Sequence, residues 1–166
     1  MDVLGIDPGS HHTGWGFIRS SGNSFTYLDS GVIHAKGEEL SVRLLVIAEG
    51  LEEILQRYKP QAVAVERVFH AKNSQSALLL GHARGAALVA VAQYHLPIYE
   101  YTPGQIKRAA TGRGRAEKEQ VQHMVRLLLR YQGAMTLDAS DALAAAICHA
   151  QMARSETRIQ ALRRGV

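Results

Sequence analysis

Short apolar runs alternate along this chain with long stripes of apolar residues at helical spacing. Val3-Leu4-Gly5-Ile6 is a continuous run, too short and too β-branched for a helix, and predicts a buried strand. Residues 14–19 and 25–33 predict two more strands, joined by Ser20-Ser21-Gly22-Asn23, a hairpin signal. From Leu40 to Tyr58, apolar residues at 44, 45, 47, 48, 51, 54 and 55 form one helical stripe, stopped by Lys59-Pro60. Residues 61–65 predict a fourth strand that ends in Glu66. A loop over 67–73 leads into a long Ala- and Gly-rich helix over 74–94. Residues 96–101 predict a fifth strand, whose Pro97 suits an edge or a strand start. Thr102-Pro103 reads as an N-cap followed by proline at the first helical position. Gly112-Arg113-Gly114-Arg115 is a flexible basic loop, and helices over 116–130 and 138–152 complete the fold.

Three strands in succession make an antiparallel meander, and the later strands return through helices and so run parallel to the first. The expected architecture is α/β: a five-stranded mixed sheet with helices on both faces. The boundaries place one domain over 1–153 and a loosely held basic tail over 154–166.

Composition narrows the class. With 166 residues and 46% hydrophobic content, the chain can bury an ordinary single core. Asp2 and Asp7 interrupt the first apolar stretch, which does not resemble a signal peptide, and no run of consecutive apolar residues reaches membrane-spanning length. A single cysteine, Cys148, excludes an internal disulfide, and a reducing, cytoplasmic setting is expected. The net charge of +4 matters less than its placement. Between 103 and 130 stand Lys107, Arg108, Arg113, Arg115, Lys118, Arg126 and Arg130, against only Glu117 and Glu119. Such a segment attracts a polyanion, although a solvated helix face reads the same way.

The acids carry the sharper signal. Strands 1 and 4 end in Asp7 and Glu66, and parallel neighbours would bring both carboxylates to the sheet edge where α/β folds place their sites. Asp138 and Asp141, three apart, share one face of a first helical turn. Taken alone, that pair reads better as capping, since acids are favoured at a helix N-terminus; taken with Asp7 and Glu66, it reads as part of one site. Four acids meeting without bases would repel and have raised pKa values, a cost that a pair of Mg²⁺ or Mn²⁺ ions removes. Two such ions are a known device for in-line phosphoryl displacement, with Asp7 the natural bridging ligand. Gly81 and Gly85, like Ala83 and Ala87, permit close approach of the fourth-strand helix to its own sheet or to a second copy. His11-His12 read as solvated, and Cys148-His149 as buried. Gly112-x-Gly114 is too short for a dinucleotide fingerprint. An actin-like ATPase shares the opening strand and Asp but needs a second domain, for which the chain has no room.

The segments GIDPGSHHTGWG, VAVERVFHAKNSQSALLLGHARG, YEYTPGQIKRAATGRGRAEKEQVQHMVRLLL and DASDALAAAICHA follow in this order and spacing. Together they resemble the RuvC family of Holliday-junction resolvases, and the likeness runs from Met1 to about Met152. The resemblance implies an RNase H-like fold, a homodimer, and Mg²⁺-dependent paired nicking of four-way DNA junctions in recombination and repair. Two ions per site are implied, with Mn²⁺ able to substitute. The family's acidic tetrad falls on Asp7, Glu66, Asp138 and Asp141, as catalytic residues and metal ligands. Its basic residues match Lys107 and Lys118, and its aromatic residue matches Phe69, which could stack on an unpaired base. Arg113 and Arg115 extend the expected DNA contact, and Gly81 and Gly85 lie where the family makes its dimer. Partnership with a branch-migration motor is implied by the family alone. A related nuclease acting on RNA or on RNA–DNA hybrids is the alternative.

Overall fold

The computed structural model describes residues 1–67 and 73–164. The elements run β1 (Asp2–Asp7), β2 (His12–Ser21), β3 (Ser24–His34), α1 (Leu40–Tyr58), β4 (Ala62–Glu66), α2 (Ser74–Ala92), β5 (Ile98–Tyr101), α3 (Pro103–Thr111), α4 (Lys118–Leu129) and α5 (Leu137–Arg164). The sheet order is β3-β2-β1-β4-β5. β1–β2 and β2–β3 pair antiparallel, while β1–β4 and β4–β5 pair parallel. The mixed five-stranded sheet expected from the apolar pattern is therefore the sheet observed.

Alternation along the strands sorts side chains into two cores. Leu4 and Ile6 of β1, with Val63 and Val65 of β4, pack with Phe17 against Ile47, Leu51 and Leu55 of α1 and Ala83, Ala87 and Val91 of α2. Val3, Ile18 and Ala64 point the other way, onto α5 with its Ala144, Ala145, Ala146 and Ile147, flanked by α3 and α4. The first core is built of branched aliphatics, and truncating one of its fully buried leucines costs about 2–5 kcal/mol. The second carries a run of small residues, Ala144 to Ala146, where α5 lies directly on the sheet. An added Cβ at Gly5 would stand 1.8 Å from the Ala142 carbonyl oxygen, and one at Gly14 would stand 2.1 Å from that of Asp138. These two glycines set the height of α5 above β1 and β2.

Local signals place the remaining ends. Lys59, left-handed at φ 48°, stops α1. Thr102 caps α3, with Gln105 completing a capping box that the sequence reading did not include. The last helix departs from expectation at both ends. It continues past Met152 to Arg164, so the basic tail extends α5, and Arg154 ties it to the β2–β3 turn through the Gly22 carbonyl and Asn23 Oδ1. At its start, Thr136 Oγ1 accepts the Ala139 N–H at 3.2 Å. Thr136 is thus the cap, and Asp138 is released from the capping role that competed with chemistry. α2 is long and apolar enough, by length and composition, to cross a membrane, but its Ala83 and Ala87 face packs on the sheet.

Candidate active site

β1 and β4 lie side by side, with Ile6 opposite Val65, so Asp7 and Glu66 leave the sheet at the same edge. Strand parity turns both toward the α5 face. Pro8-Gly9 then takes the chain away from Asp7, and the turn is held by buried Thr13, whose hydroxyl donates to the Gly9 carbonyl at 3.0 Å. The first turn of α5 arrives over β1 and β2 and brings Asp138 and Asp141.

A cleft of about 300 Å³ opens there, lined by Asp7, Glu66, Asp141, Lys107 and Lys118 among polar groups and by Leu80, Ile106 and Val121 among apolar ones. Lys107 comes from α3 and Lys118 from the first residue of α4, so four helices and two strands converge on it. The Lys118 ammonium donates to Asp141 Oδ2 at 2.9 Å. Burial is the main force on Asp7, raising its pKa to about 7, and Glu66, Asp141 and Asp138 push in the same direction while Lys118 opposes them. Glu66 is raised too, by burial and then by Asp141, with Lys118 and Lys107 opposing. Lys118 is held charged above its ordinary value, chiefly by its bond to Asp141.

This is a cluster of carboxylates only partly compensated by Lys118 and Lys107, the environment that binds a hard divalent ion through carboxylate oxygens. The donor chemistry therefore fits Mg²⁺ or Mn²⁺. Among the described residues, no three His, Cys, Asp or Glu side chains are drawn around one point, and the cation placed among the acids is Lys118.

The other sequence candidates divide. Arg113 and Arg115 are exposed, and neither lines the cleft; Arg113 borders a separate shallow depression with Glu119 and His123. Gly81 and Gly85 are exposed, and a Cβ added at either meets nothing within 4 Å, whereas Ala83 and Ala87 face the sheet. His11 and His12 are exposed. Cys148 is buried, and burial pushes its thiol up to about 12, which leaves it unreactive. Phe69 lies outside the described residues. Thr13, Thr136 and the apolar wall of Leu80, Ile106 and Val121 escaped the sequence reading. Thr136 had a usable signal, a threonine two residues before the acid; the wall had none, because its members belong to three separate helices.

The family profile described as "Crossover junction endodeoxyribonuclease RuvC" matches residues 3–149. The chain is 52% identical over 147 residues to the RuvC of Shewanella sp. (strain MR-4), covering 89% of this chain and 85% of that one. It is 50% identical over 164 residues to the RuvC of Geobacter sulfurreducens, covering 98% of this chain and all of the other. The solved structure of Thermus thermophilus RuvC in complex with a Holliday junction substrate matches at a TM-score of 0.88 and 38% identity, covering 95% of this chain and 97% of that one. The yeast mitochondrial Holliday junction resolvase, at 12% identity and a TM-score of 0.64, shares the fold.

Proposed function

The chain belongs to the RuvC family, and from that premise we propose that it resolves four-way DNA junctions by hydrolysing one phosphodiester in each of two like-oriented strands. The observation that carries the reading is the meeting of half-buried Asp7 and Glu66 with Asp141 and Lys118 in one cleft at the sheet edge.

Asp7, Glu66, Asp138 and Asp141 would hold two magnesium ions, with manganese able to substitute. When bound, the ions activate the attacking water and stabilise the leaving oxygen. The rigid parts of the fold do the rest. Asp7 and Glu66 project from strands, and Asp138 and Asp141 from a helix whose height is fixed by Gly5 and Gly14, so the carboxylates are preorganised. Lys107 and Lys118 are suited to grip the phosphates flanking the scissile bond; such contacts position the backbone without reading its sequence. Leu80, Ile106 and Val121 make a partly dry wall, which strengthens every charge interaction beside it. Arg113 and Arg115, beyond the cleft, would extend the phosphate contact along a junction arm. Phe69 retains its proposed stacking role.

Two copies are required for paired nicks. The stripe of Leu78, Gly81, Gly85 and Val89 on the outer side of α2 supports self-association, since Leu78 and Val89 are 62% and 60% exposed on a helix without side chains at the glycines between. A branch-migration motor as further partner and a cytoplasmic setting complete the proposal.

The test incubates the protein with a labelled mobile four-way junction, a linear duplex and an RNA–DNA hybrid, with Mg²⁺ or with EDTA. Paired symmetric nicks in the junction alone, lost in EDTA, are expected. Equal cutting of the hybrid would replace the junction reading with a general RNase H-like nuclease.

A further inference from the structure

Glu100 lies on β5 one residue before Tyr101, which pairs with Glu66. Tyr99 and Tyr101 turn toward α5, where the His149 ring stacks on Tyr99 at 4.1 Å and its Nδ1 shares a 2.8 Å hydrogen bond with the Tyr101 hydroxyl. Glu100 turns to the opposite face, toward α2. There Arg84 Nη2 donates to Glu100 Oε1 at 2.5 Å, and Arg67 Nε donates to Glu100 Oε2 at 3.2 Å.

Both arginines lead back to the cleft. Arg67 directly follows Glu66, and its backbone N–H donates to the Tyr101 carbonyl at 2.7 Å, so main chain and side chain both tie the exit of β4 to β5. Arg84 stands four residues beyond Leu80 on α2 and shares its face, and Leu80 lines the cleft. Arg84 Nε is buried and makes no hydrogen bond among the described residues, which leaves orientation of the guanidinium to its Glu100 bond. The Arg67 side chain is 48% exposed, so its arm adds little to overall stability, while the Arg84 arm is part-buried and short. What both arms contribute is geometry.

We propose that Glu100 is a positioning residue of the nuclease site. By bridging Arg67 and Arg84 it holds the Glu66 carboxylate and the Leu80 wall in the arrangement that junction cleavage requires. The inference rests on the cleavage reading above and adds a residue that does not line the cleft.

Glu100→Gln keeps the size and removes the charge. Its single-turnover rate on a four-way junction should fall roughly 10- to 100-fold, the usual consequence of a small misplacement. Its junction Kd in EDTA should stay within about twofold, because Glu100 lies off the phosphate-binding surface. Mn²⁺ binding to the DNA-free protein, followed by electron paramagnetic resonance, should weaken severalfold, and Glu100→Asp should recover part of both losses. A Glu100→Gln protein with wild-type rate and wild-type Mn²⁺ affinity would overturn the proposal. So would equal losses of rate, junction binding and melting temperature, which would mark a structural residue only. If Glu100→Gln does not fold, Arg84→Met removes one arm alone, and slower cutting at unchanged Kd is again expected; an unchanged rate counts against the bridge. A wild-type protein that leaves junctions uncut would undo the function, while the Mn²⁺ comparison would still decide the role of Glu100.

Discussion

β1 begins and ends with the same residue type, and the two aspartates meet opposite fates. Asp2 receives Arg19 Nε and Nη2 at 2.7 Å each, and has its carboxyl held below the usual range by that partner. Asp7, five residues on, is half-buried beside Glu66, Asp141 and Asp138, and its pKa rises to about 7 as it loses water and meets those like charges. One end of the strand pairs its charge, while at the other Glu66, Asp141 and Asp138 gather around Asp7 and Lys118 offsets them only in part. The difference lies in the neighbours, and the fold supplies those neighbours from distant parts of the chain. A cluster that costs stability at one end of a strand otherwise built for stability fits the proposed catalytic role, since functional sites commonly trade stability for chemistry.

The largest expected effect comes from breaking the charged end. Asp7→Asn should reduce junction cleavage by on the order of 10³-fold or more, since it removes the central carboxylate of the cluster. Binding should persist, as measured by gel shift in EDTA. The same change should raise the melting temperature of the metal-free protein by several degrees at neutral pH, because it removes a buried like charge. The sign follows from linkage: the folded pKa of about 7 lies above the ordinary 3.8, so this carboxyl contributes stability that is complete below the lower value. That contribution is lost as pH rises through the upper one. The stability gap between variant and wild type, measured in EDTA, should therefore widen from about pH 4 to about pH 8. A gap that narrowed would mean Asp7 is stabilised in its charged form, contrary to its burial.

Lys118→Met sharpens the comparison from the other side, since Lys118 is to Asp141 what Arg19 is to Asp2. Cleavage should fall on the order of 10²-fold, by analogy with losing one charged group aimed at a transition state. Junction affinity should fall less than tenfold, as one phosphate contact among several is lost. In EDTA the variant should melt earlier than wild type, because the acids lose the cation placed among them; Mg²⁺ should restore much of the difference. An unchanged melting temperature with and without Mg²⁺ would show that the 2.9 Å pair is only a surface contact.

How much of this could be read beforehand depends on the range of the forces involved. Local signals served well: the apolar stripe of α1 matched its observed span, Thr102-Pro103 started α3, and the acids at the ends of β1 and β4 were placed by strand logic alone. Whether Asp138 caps its helix was not resolvable locally, because a cap and a site acid ask for the same residue at the same turn; the Thr136 hydroxyl on the Ala139 N–H takes the cap. The end of α5 was misplaced because a polar, basic segment lacks the apolar stripe that marks a packed helix, yet it continues one already nucleated. Least legible were the contacts that join remote segments: the turn held by Thr13, the apolar wall of the cleft, and the Glu100 bridge between Arg67 and Arg84. Gly5 and Gly14, which admit the backbone of α5, are equally remote from it in the chain.

That close approach carries the next prediction. Gly5→Ala places a Cβ 1.8 Å from the Ala142 carbonyl, against backbone that cannot rotate away. Overpacking of this kind costs roughly 1–3 kcal/mol and sometimes more. α5 would have to lift, taking Asp141 away from Asp7, so cleavage should fall by more than the loss of folded protein explains. Chemical denaturation gives the first quantity, and the rate per folded molecule gives the second. Full activity in the surviving folded fraction would mean that the helix tilts about its first turn rather than rising as a unit.

The smallest effect is expected at the compensated end. Asp2→Asn breaks a two-pronged pair with Arg19, whose side chain is 58% exposed and therefore well screened. The paired carboxyl has a lowered pKa, so what stability it contributes is present above its ordinary 3.8 and lost as pH falls through the lower, folded value. At neutral pH, removing it should cost less than about 1 kcal/mol, fading as salt is raised. Junction cleavage should not change, because Asp2 stands at the far end of β1 from the cleft. The two variants on one strand thus move in opposite directions: the Asn at 7 stabilises and inactivates, while the Asn at 2 slightly destabilises and leaves activity intact. A loss of cleavage in Asp2→Asn beyond its loss of stability would mean that strain travels the length of β1, and that the two ends are not the independent regions their surroundings make them.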